Sequence, residues 1–279
     1  MFHGIRQENG TDNRVMSINT TVLSDLFFKG LIGNKVHYFK EIDSTNIYAT
    51  QLAKGGAAEG EVVIADKQTK GRGRLNRVWQ SPEGKNVYTS IILRPPIKPS
   101  MASQLTLTAG VAVADIISEY CLKRAVLKWP NDVLIGKKKI CGILTEMRTK
   151  AGEVDFVIVG IGVNVNMSKD DFDPSVRDIG TSLKMETTFD VPRTEFTVNL
   201  YRALERWYKV VLMEGFESIR REWIHYSGMM GRQIVIDNRG ELQRGEVVGL
   251  GECGELIFID RAKQIRHVLT GDVSLIEGE

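Results

Sequence analysis

The sequence predicts an α+β fold, a mixed sheet with flanking helices followed by a small all-β barrel. Three observations carry this. β-branched, strand-length runs stand at Glu61–Asp66, Asn86–Leu93, Lys138–Met147 and Val154–Val165. Apolar residues recur at three- and four-residue intervals within Ser103–Arg124 and again from Phe196 to Val211. Beyond Ser227-Gly228 the period becomes two, in short segments split by glycine and polar turns.

Taken in order, residues 1–22 carry no apolar period and read as a flexible tail. Asp43 or Ser44 can accept an orphan backbone N–H and start a helix that Gly55-Gly56 ends. The strand EVVIAD leads into a glycine-rich basic loop, and the next strand stops at Arg94-Pro95-Pro96. The apolar stripe through Leu105, Ala109, Ala112, Ile116 and Tyr120 marks the central helix. Two strands joined by Lys150, Ala151 and Gly152 form a hairpin. A long amphipathic helix through Trp207 and a shorter one through Trp223 follow. The main domain is set at 23–228 and the barrel at 229–279. About 50 residues is small for a freestanding domain, so the barrel should share core with its larger neighbour.

The chain has 279 residues, 42% hydrophobic and 26% charged, which excludes a disordered protein. Its 37 basic and 35 acidic side chains leave a net charge of +2, so attraction to nucleic acid or an anionic membrane would have to be local. Cys121, Cys141 and Cys253 show neither a CxxC pair nor zinc-site spacing, and read as reduced and structural; no dedicated metal site is expected. The N-terminus lacks the apolar core of a secretory signal. The longest near-apolar stretch, Phe156–Val163, is too short for a bilayer. A soluble cytoplasmic protein with no membrane partner is the expectation.

Three segments carry chemistry. Lys67–Pro82 holds Lys67, Lys70, Arg72, Arg74 and Arg77 with no acidic residue among them. Gly71 and Gly73 permit close approach to a ligand, and the arginines offer forked donors to phosphate or carboxylate oxygens. Trp79 can cover an apolar ligand. Taken singly, such a loop is better read as a solvated basic surface. In Lys128-Trp129-Pro130-Asn131-Asp132 a lysine emerges at a strand end before a proline turn. It can meet an anion, with Asp132 accepting a proton or orienting a donor, or the segment is a plain surface turn. Finally, Gly142, Gly160 and Gly162 sit inside strands, which suits a binding floor or a bulge.

Together, Asp43-Ser44-Thr45-Asn46, Gln68 with GRGR at 71–74 and Trp79, KWPND at 128–132, CGIL at 141–144 and GIGVN at 160–164 resemble biotin protein ligase in order and spacing. The resemblance runs from about residue 36 to GDVSL at 271–275. It implies a class II synthetase-like, biotin/lipoate ligase catalytic domain followed by an SH3-like barrel. It also implies a two-step reaction in which a biotin carboxylate attacks the α-phosphate of ATP, after which a carrier lysine displaces AMP from biotinyl-AMP. Asn76 and Cys141 depart from the family's common glycine and alanine.

The resemblance further implies roles. Lys128, Arg72 and Arg74 would be the catalytic cations, and Asp132 either the base for the carrier amine or a positioning group. Biotin would meet Ser44, Thr45, Asn46, Gln68, Gly71, Arg72, Gly73, Arg74, Lys128 and Gly142. The adenylate would meet Arg74, Arg77, Trp79, Lys128, Asn131 and Asn164. Biotin and ATP are the substrates, Mg2+ accompanies ATP, and the partner is a biotin carboxyl carrier protein. Family members occur as monomers and dimers, and an edge strand near Val157 would allow a homodimer. Lipoate ligase and a non-catalytic biotin sensor are the competing readings. A nucleic-acid module that uses the basic loop is disfavoured by the near-neutral charge.

About 35 residues precede the catalytic region, too few for a helix-turn-helix plus linker, so no specific DNA binding is expected. A mobility-shift titration with a biotin-operon promoter should show only weak, salt-sensitive association.

Overall fold

The computed structural model describes residues 18, 19, 21, 30–238 and 240–276. The tail expected at 1–22 lies largely outside them. Within it, Ile18 is buried in the core and the Asn19 amide donates to Thr194 Oγ1 at 3.0 Å.

Seven strands form the main sheet: β1 (Val36–Ile42), β2 (Val62–Gln68), β3 (Val87–Leu93), β4 (Ala125–Lys128), β5 (Asp132–Ile135), β6 (Lys138–Lys150) and β7 (Glu153–Val163). Their spatial order is β1-β2-β3-β7-β6-β5-β4. β1 and β2 run parallel and the other pairs antiparallel, which makes the sheet mixed as expected. Neither β1 nor β5 was anticipated. VHYFKEI is half-exposed along an edge and has no clean alternation, and β5 is only four residues long. The β6–β7 hairpin turns at Ala151 and Gly152, both with positive φ (52° and 85°), as a right-twisted two-residue connection requires.

Both faces of this sheet are covered, and the strands divide their side chains between them. Ala49 and Ala53 of α1 (Thr45–Lys54) pack on Val63, Ile92, Phe156 and Ile158. The alternate residues Val62, Ile64, Ile91, Val157 and Val159 face α2 (Ala102–Tyr120) and α4 (Arg193–Glu214) in the larger core. α3 (Leu183–Thr187) and α5 (Glu217–Tyr226) complete the helices. α2 ends four residues before the expected Arg124, because Cys121 is already extended (φ −124°, ψ 130°) and β4 follows. The 22 residues Pro99–Tyr120 are long and apolar enough to cross a membrane by length and composition, which corrects the choice of Phe156–Val163 as the longest apolar stretch. Interspersed serine, threonine and glycine hide the run, and 67% of its most apolar window is buried inside the fold, as in a core helix.

β7 lies between β3 and β6, so Val157 is not near a free edge. The expectation of pairing there is corrected: hydrophobic period alone cannot tell an interior strand from an edge, and the open edges are those of β1 and β4.

A second, antiparallel sheet comprises β8 (Gln233–Asn238), β9 (Glu241–Leu250), β10 (Leu256–Asp260), β11 (Ile265–Val268) and β12 (Asp272–Leu275), in the order β11-β10-β9-β8-β12. Its inward residues Ile234, Ile236, Val247, Leu256 and Phe258 belong to the same buried cluster as the large sheet. The turn after β9 is fixed from outside, since Trp129 Nε1 donates to the Gly254 carbonyl at 3.0 Å and Gln104 Nε2 to the Glu252 carbonyl at 2.7 Å.

Beneath β2 and β3, the fully buried Arg193 donates to Asp66 Oδ1 at 2.9 Å and to the Asn86 carbonyl at 3.0 Å. Tyr38 donates to Asp66 Oδ2 at 2.6 Å, and burial together with that carboxylate pushes its hydroxyl up to about 12. Removing one partner of such a pair strands the other charge, so Arg193→Met should destabilise the fold by about 3–5 kcal/mol in chemical unfolding. A second test uses pH. Glu205 accepts the Leu31 and Ile32 amides at 2.8 and 3.0 Å. Burial pushes its carboxyl up, but Lys209 and those amides outweigh it and hold it below the ordinary glutamate range. Its contribution is therefore full above that range and lost as pH falls through the depressed value. Glu205→Gln should flatten the acid limb of the Tm–pH curve.

Candidate active site

Strand register assembles the site. Across one transverse row of the main sheet stand Ala65, Tyr88, Gly162, Gly142, Asp132 and Lys128, each opposite the next. Six strands thus contribute one residue each to a single line of backbone. The next row on the same face places Ser90 beside Gly160 and Gly160 beside Leu144. Toward the start of β7 this face carries Phe156 and Ile158, which α1 covers. Past Ile158 it is stripped to Gly160 and Gly162, and a cleft of about 760 Å³ opens over them.

The glycines are required by close approach. A Cβ at Gly160 would lie 2.0 Å from Asn46 Oδ1, and one at Gly162 would lie 2.4 Å from Trp79 Nε1. A Cβ at Gly142 would meet the same indole at 3.0 Å. Trp79 therefore lies across the glycine floor, with Lys139 Nζ 5.3 Å from its ring centroid.

One wall is neutral and polar. The N-terminus of α1 presents Ser44, Thr45 and Asn46, all buried. Gln68 Oε1 accepts from Thr45 N at 2.9 Å and Oγ1 at 3.1 Å, and Gln68 Nε2 donates to Ser81 Oγ at 3.0 Å. Ser90 Oγ lies 2.8 Å from Thr45 Oγ1 and 2.6 Å from Asn46 Oδ1. Asn46 Nδ2 donates to the Leu144 carbonyl at 3.2 Å and to Glu146 Oε2 at 2.9 Å. These bonds fix both amide orientations.

The opposite rim is cationic. Arg74 donates to Asn131 Oδ1 at 3.2 Å and to the Gly271 carbonyl at 3.1 Å, and its Nη1 stands 3.6 Å from Asp272 Oδ1. Burial holds its guanidinium below the ordinary value, with Asp272 and Asp132 opposing. Arg77 pairs with the other oxygen of Asp272, and Arg72 stands 3.4 Å from Glu146. Lys128 has neither ion-pair nor hydrogen-bond partner among the described residues and projects into the cleft from the end of β4. Lys139 Nζ lies 2.6 Å from Asp132 Oδ1, within ion-pair range though not aligned for a hydrogen bond.

Every expected site residue except Gly71 lines the cleft. Gly71 is buried beside it, where a Cβ would stand 2.3 Å from the Trp79 carbonyl, so it shapes the loop instead. Asn131 and Asn164 line the cleft with much of their capacity already engaged. Asn131 Nδ2 bonds the Ile143 carbonyl at 2.8 Å, and Asn164 Nδ2 bonds the Thr181 carbonyl at 3.0 Å. Asn76 adopts φ 60°, a left-handed conformation that asparagine tolerates, which explains its replacing glycine there. Cys141 is fully buried, and burial pushes its thiol well up, as suits a structural residue. Sequence reasoning missed Ser81, Ser90, Lys139, Glu146 and Asp272. Of these, Ser81 lies in the Lys67–Pro82 loop and Asp272 in GDVSL, both segments already noticed, though neither residue was given a role there.

Comparison with known proteins places the chain in a family. Residues 38–164 match the biotin/lipoate A/B protein ligase family. The chain is 37% identical over 245 residues to the bifunctional ligase/repressor BirA of Bacillus subtilis, spanning 88% of this chain and 75% of that protein. It is 34% identical to the biotin--[acetyl-CoA-carboxylase] ligase of Paracoccus denitrificans, spanning 77% and 90%. A solved structure of biotin protein ligase from Aquifex aeolicus with biotin and ATP superposes with a TM-score of 0.75 at 30% identity, covering 88% of this chain and 99% of that one. The chain belongs to the biotin/lipoate A/B protein ligase family. Within it, the Paracoccus and Aquifex relatives are biotin ligases by name.

Gly162→Ala should expel Trp79 from the floor. A red-shifted tryptophan emission with an unchanged far-UV circular dichroism spectrum is the expected result.

Proposed function

We propose that this chain is a biotin–protein ligase, which activates biotin with ATP as biotinyl-AMP and transfers it to a lysine of a biotin carboxyl carrier protein. The observation that carries this reading is the single ladder row on which unpaired Lys128 faces a glycine floor between a neutral amide wall and an arginine loop. A neutral ureido ring suits Ser44, Thr45, Asn46 and Gln68, whose donors and acceptors are held in fixed directions. A lipoate slot would be apolar along its length.

In the first step a biotin carboxylate oxygen bonds to the α-phosphorus and pyrophosphate leaves. Lys128, Arg72 and Arg74 stabilise the charge that develops on the phosphate oxygens. In the second step the carrier amine attacks the acyl carbon, the bond to AMP oxygen breaks, and the amine loses a proton. The held Lys139–Asp132 pair favours a positioning role for Asp132 over that of base. Trp79, Asn131 and Asn164 bound the space for the nucleotide. Mg2+ would accompany the triphosphate and neutralise its charge. The free cysteines suit a reducing cytoplasm.

The purified chain, incubated with biotin, Mg·ATP and a carrier domain, should add one biotin mass to the carrier, whereas a parallel lipoate reaction should add nothing. Gain with lipoate alone would overturn the assignment. Lys128→Ala should lower the adenylation rate by about 10²- to 10³-fold; full activity in that variant would remove Lys128 from the catalytic cations, and absence of any adenylation by the wild-type chain would support a sensor instead.

A further inference from the structure

All three arginines of the 72–77 loop already face carboxylates, whereas among the described residues Lys128 faces none. Arg72 meets Glu146 on β6. Arg74 and Arg77 share the two oxygens of Asp272, at the start of β12 in the second sheet. One carboxylate binding two guanidiniums is the arrangement a phosphate group would impose on them.

The loop segment between these arginines is strained. Leu75 and Asn76 are both left-handed (φ 53° and 60°), and Leu75, which lacks the local hydrogen bonds that let asparagine tolerate this region, is 61% exposed. Packing of the Leu75 side chain therefore does not hold the turn. Backbone bonds from Gly73 N to the Arg77 carbonyl (2.7 Å) and from Arg77 N to the Arg74 carbonyl (3.1 Å) close it, and Asp272 clamps both ends. Strain of this kind persists only where surrounding contacts over-determine it. Arg74 has two further anchors, Asn131 and the Gly271 carbonyl; among the described residues Arg77 has only Asp272 as an ion-pair partner.

We propose that Asp272 is an internal stand-in for phosphate, a counter-charge that recaptures Arg74 and Arg77 when pyrophosphate leaves and so promotes product release. This rests on the ligase reading above. The cleft needs concentrated positive charge while the triphosphate reacts, and that same charge would retain a tetra-anionic product. A carboxylate brought by the second sheet competes for the two arginines, lowering the affinity of the open site for phosphate without touching the substrate. It also gives the small sheet a specific task at the cleft.

The test uses inorganic pyrophosphate as the probe, against the full-length chain, by titration calorimetry and as an inhibitor of adenylation. Asp272→Asn keeps the size and an acceptor oxygen but removes the charge. It should tighten pyrophosphate binding about threefold to tenfold and steepen its salt dependence, with the KM for biotin within twofold of wild type. In an Arg77→Gln background the same change should have a markedly smaller effect, and Asp272→Glu should restore wild-type affinity. Unchanged or weaker pyrophosphate binding by a folded Asp272→Asn protein, or an undiminished effect in the Arg77→Gln background, would overturn the proposal. Mass gain on the carrier by wild-type protein reports the ligase reading separately, so failure of one is not mistaken for failure of the other.

Discussion

The site depends on a steric constraint: two glycines, Gly142 and Gly162, stand opposite each other on adjacent central strands and leave the sheet bare where a ligand must lie. A side chain at Gly162 would drive Trp79 off the floor, and one at Gly142 would crowd the same indole. Gly160 does the same for Asn46, whose amide would otherwise be forced off its bonds to Ser90, Leu144 and Glu146. Glycine normally weakens a strand. Here β6 and β7 are the longest strands, flanked on both sides, so the ladder tolerates the loss.

From that floor the distribution of charge follows. Neutral hydrogen-bonding groups converge from the α1 N-terminus and β2, and cations converge from the loop after β2 and the end of β4. Several of these groups are held in place by a neighbouring side chain, as electrostatic preorganisation requires. Gln68 is tied to Ser81, Arg74 to Asn131, and Asp132 to Lys139. Among the described residues Lys128 has no partner, which leaves it available to an incoming anion.

The second sheet is structurally inseparable from this arrangement. It shares the main core, its turn accepts the Trp129 indole beside Lys128, and its last strand supplies Asp272 and the neighbouring Gly271 carbonyl to Arg74. A unit too small to bury a core alone is stabilised by leaning on the larger sheet. In return it fixes two of the segments that line the cleft.

By itself, the sequence determined the elements with strong periodicity: α2, α4, the β6–β7 hairpin and the five short strands after Gly231. It also determined the family, through motifs whose order is far more specific than any one of them. Local pattern carries that much because propensity and amphipathicity act within a few residues. What it left out required pairing. β1 and β5 are short or half-exposed, and the edge assigned near Val157 proved interior because periodicity does not encode neighbours. Lys139, Glu146, Ser90 and Asp272 are ordinary polar residues in sequence. Only strand register and the docking of the second sheet bring them against Asp132, Asn46 and the loop arginines, since ion pairs and hydrogen bonds depend on distances of a few ångströms that sequence separation does not fix.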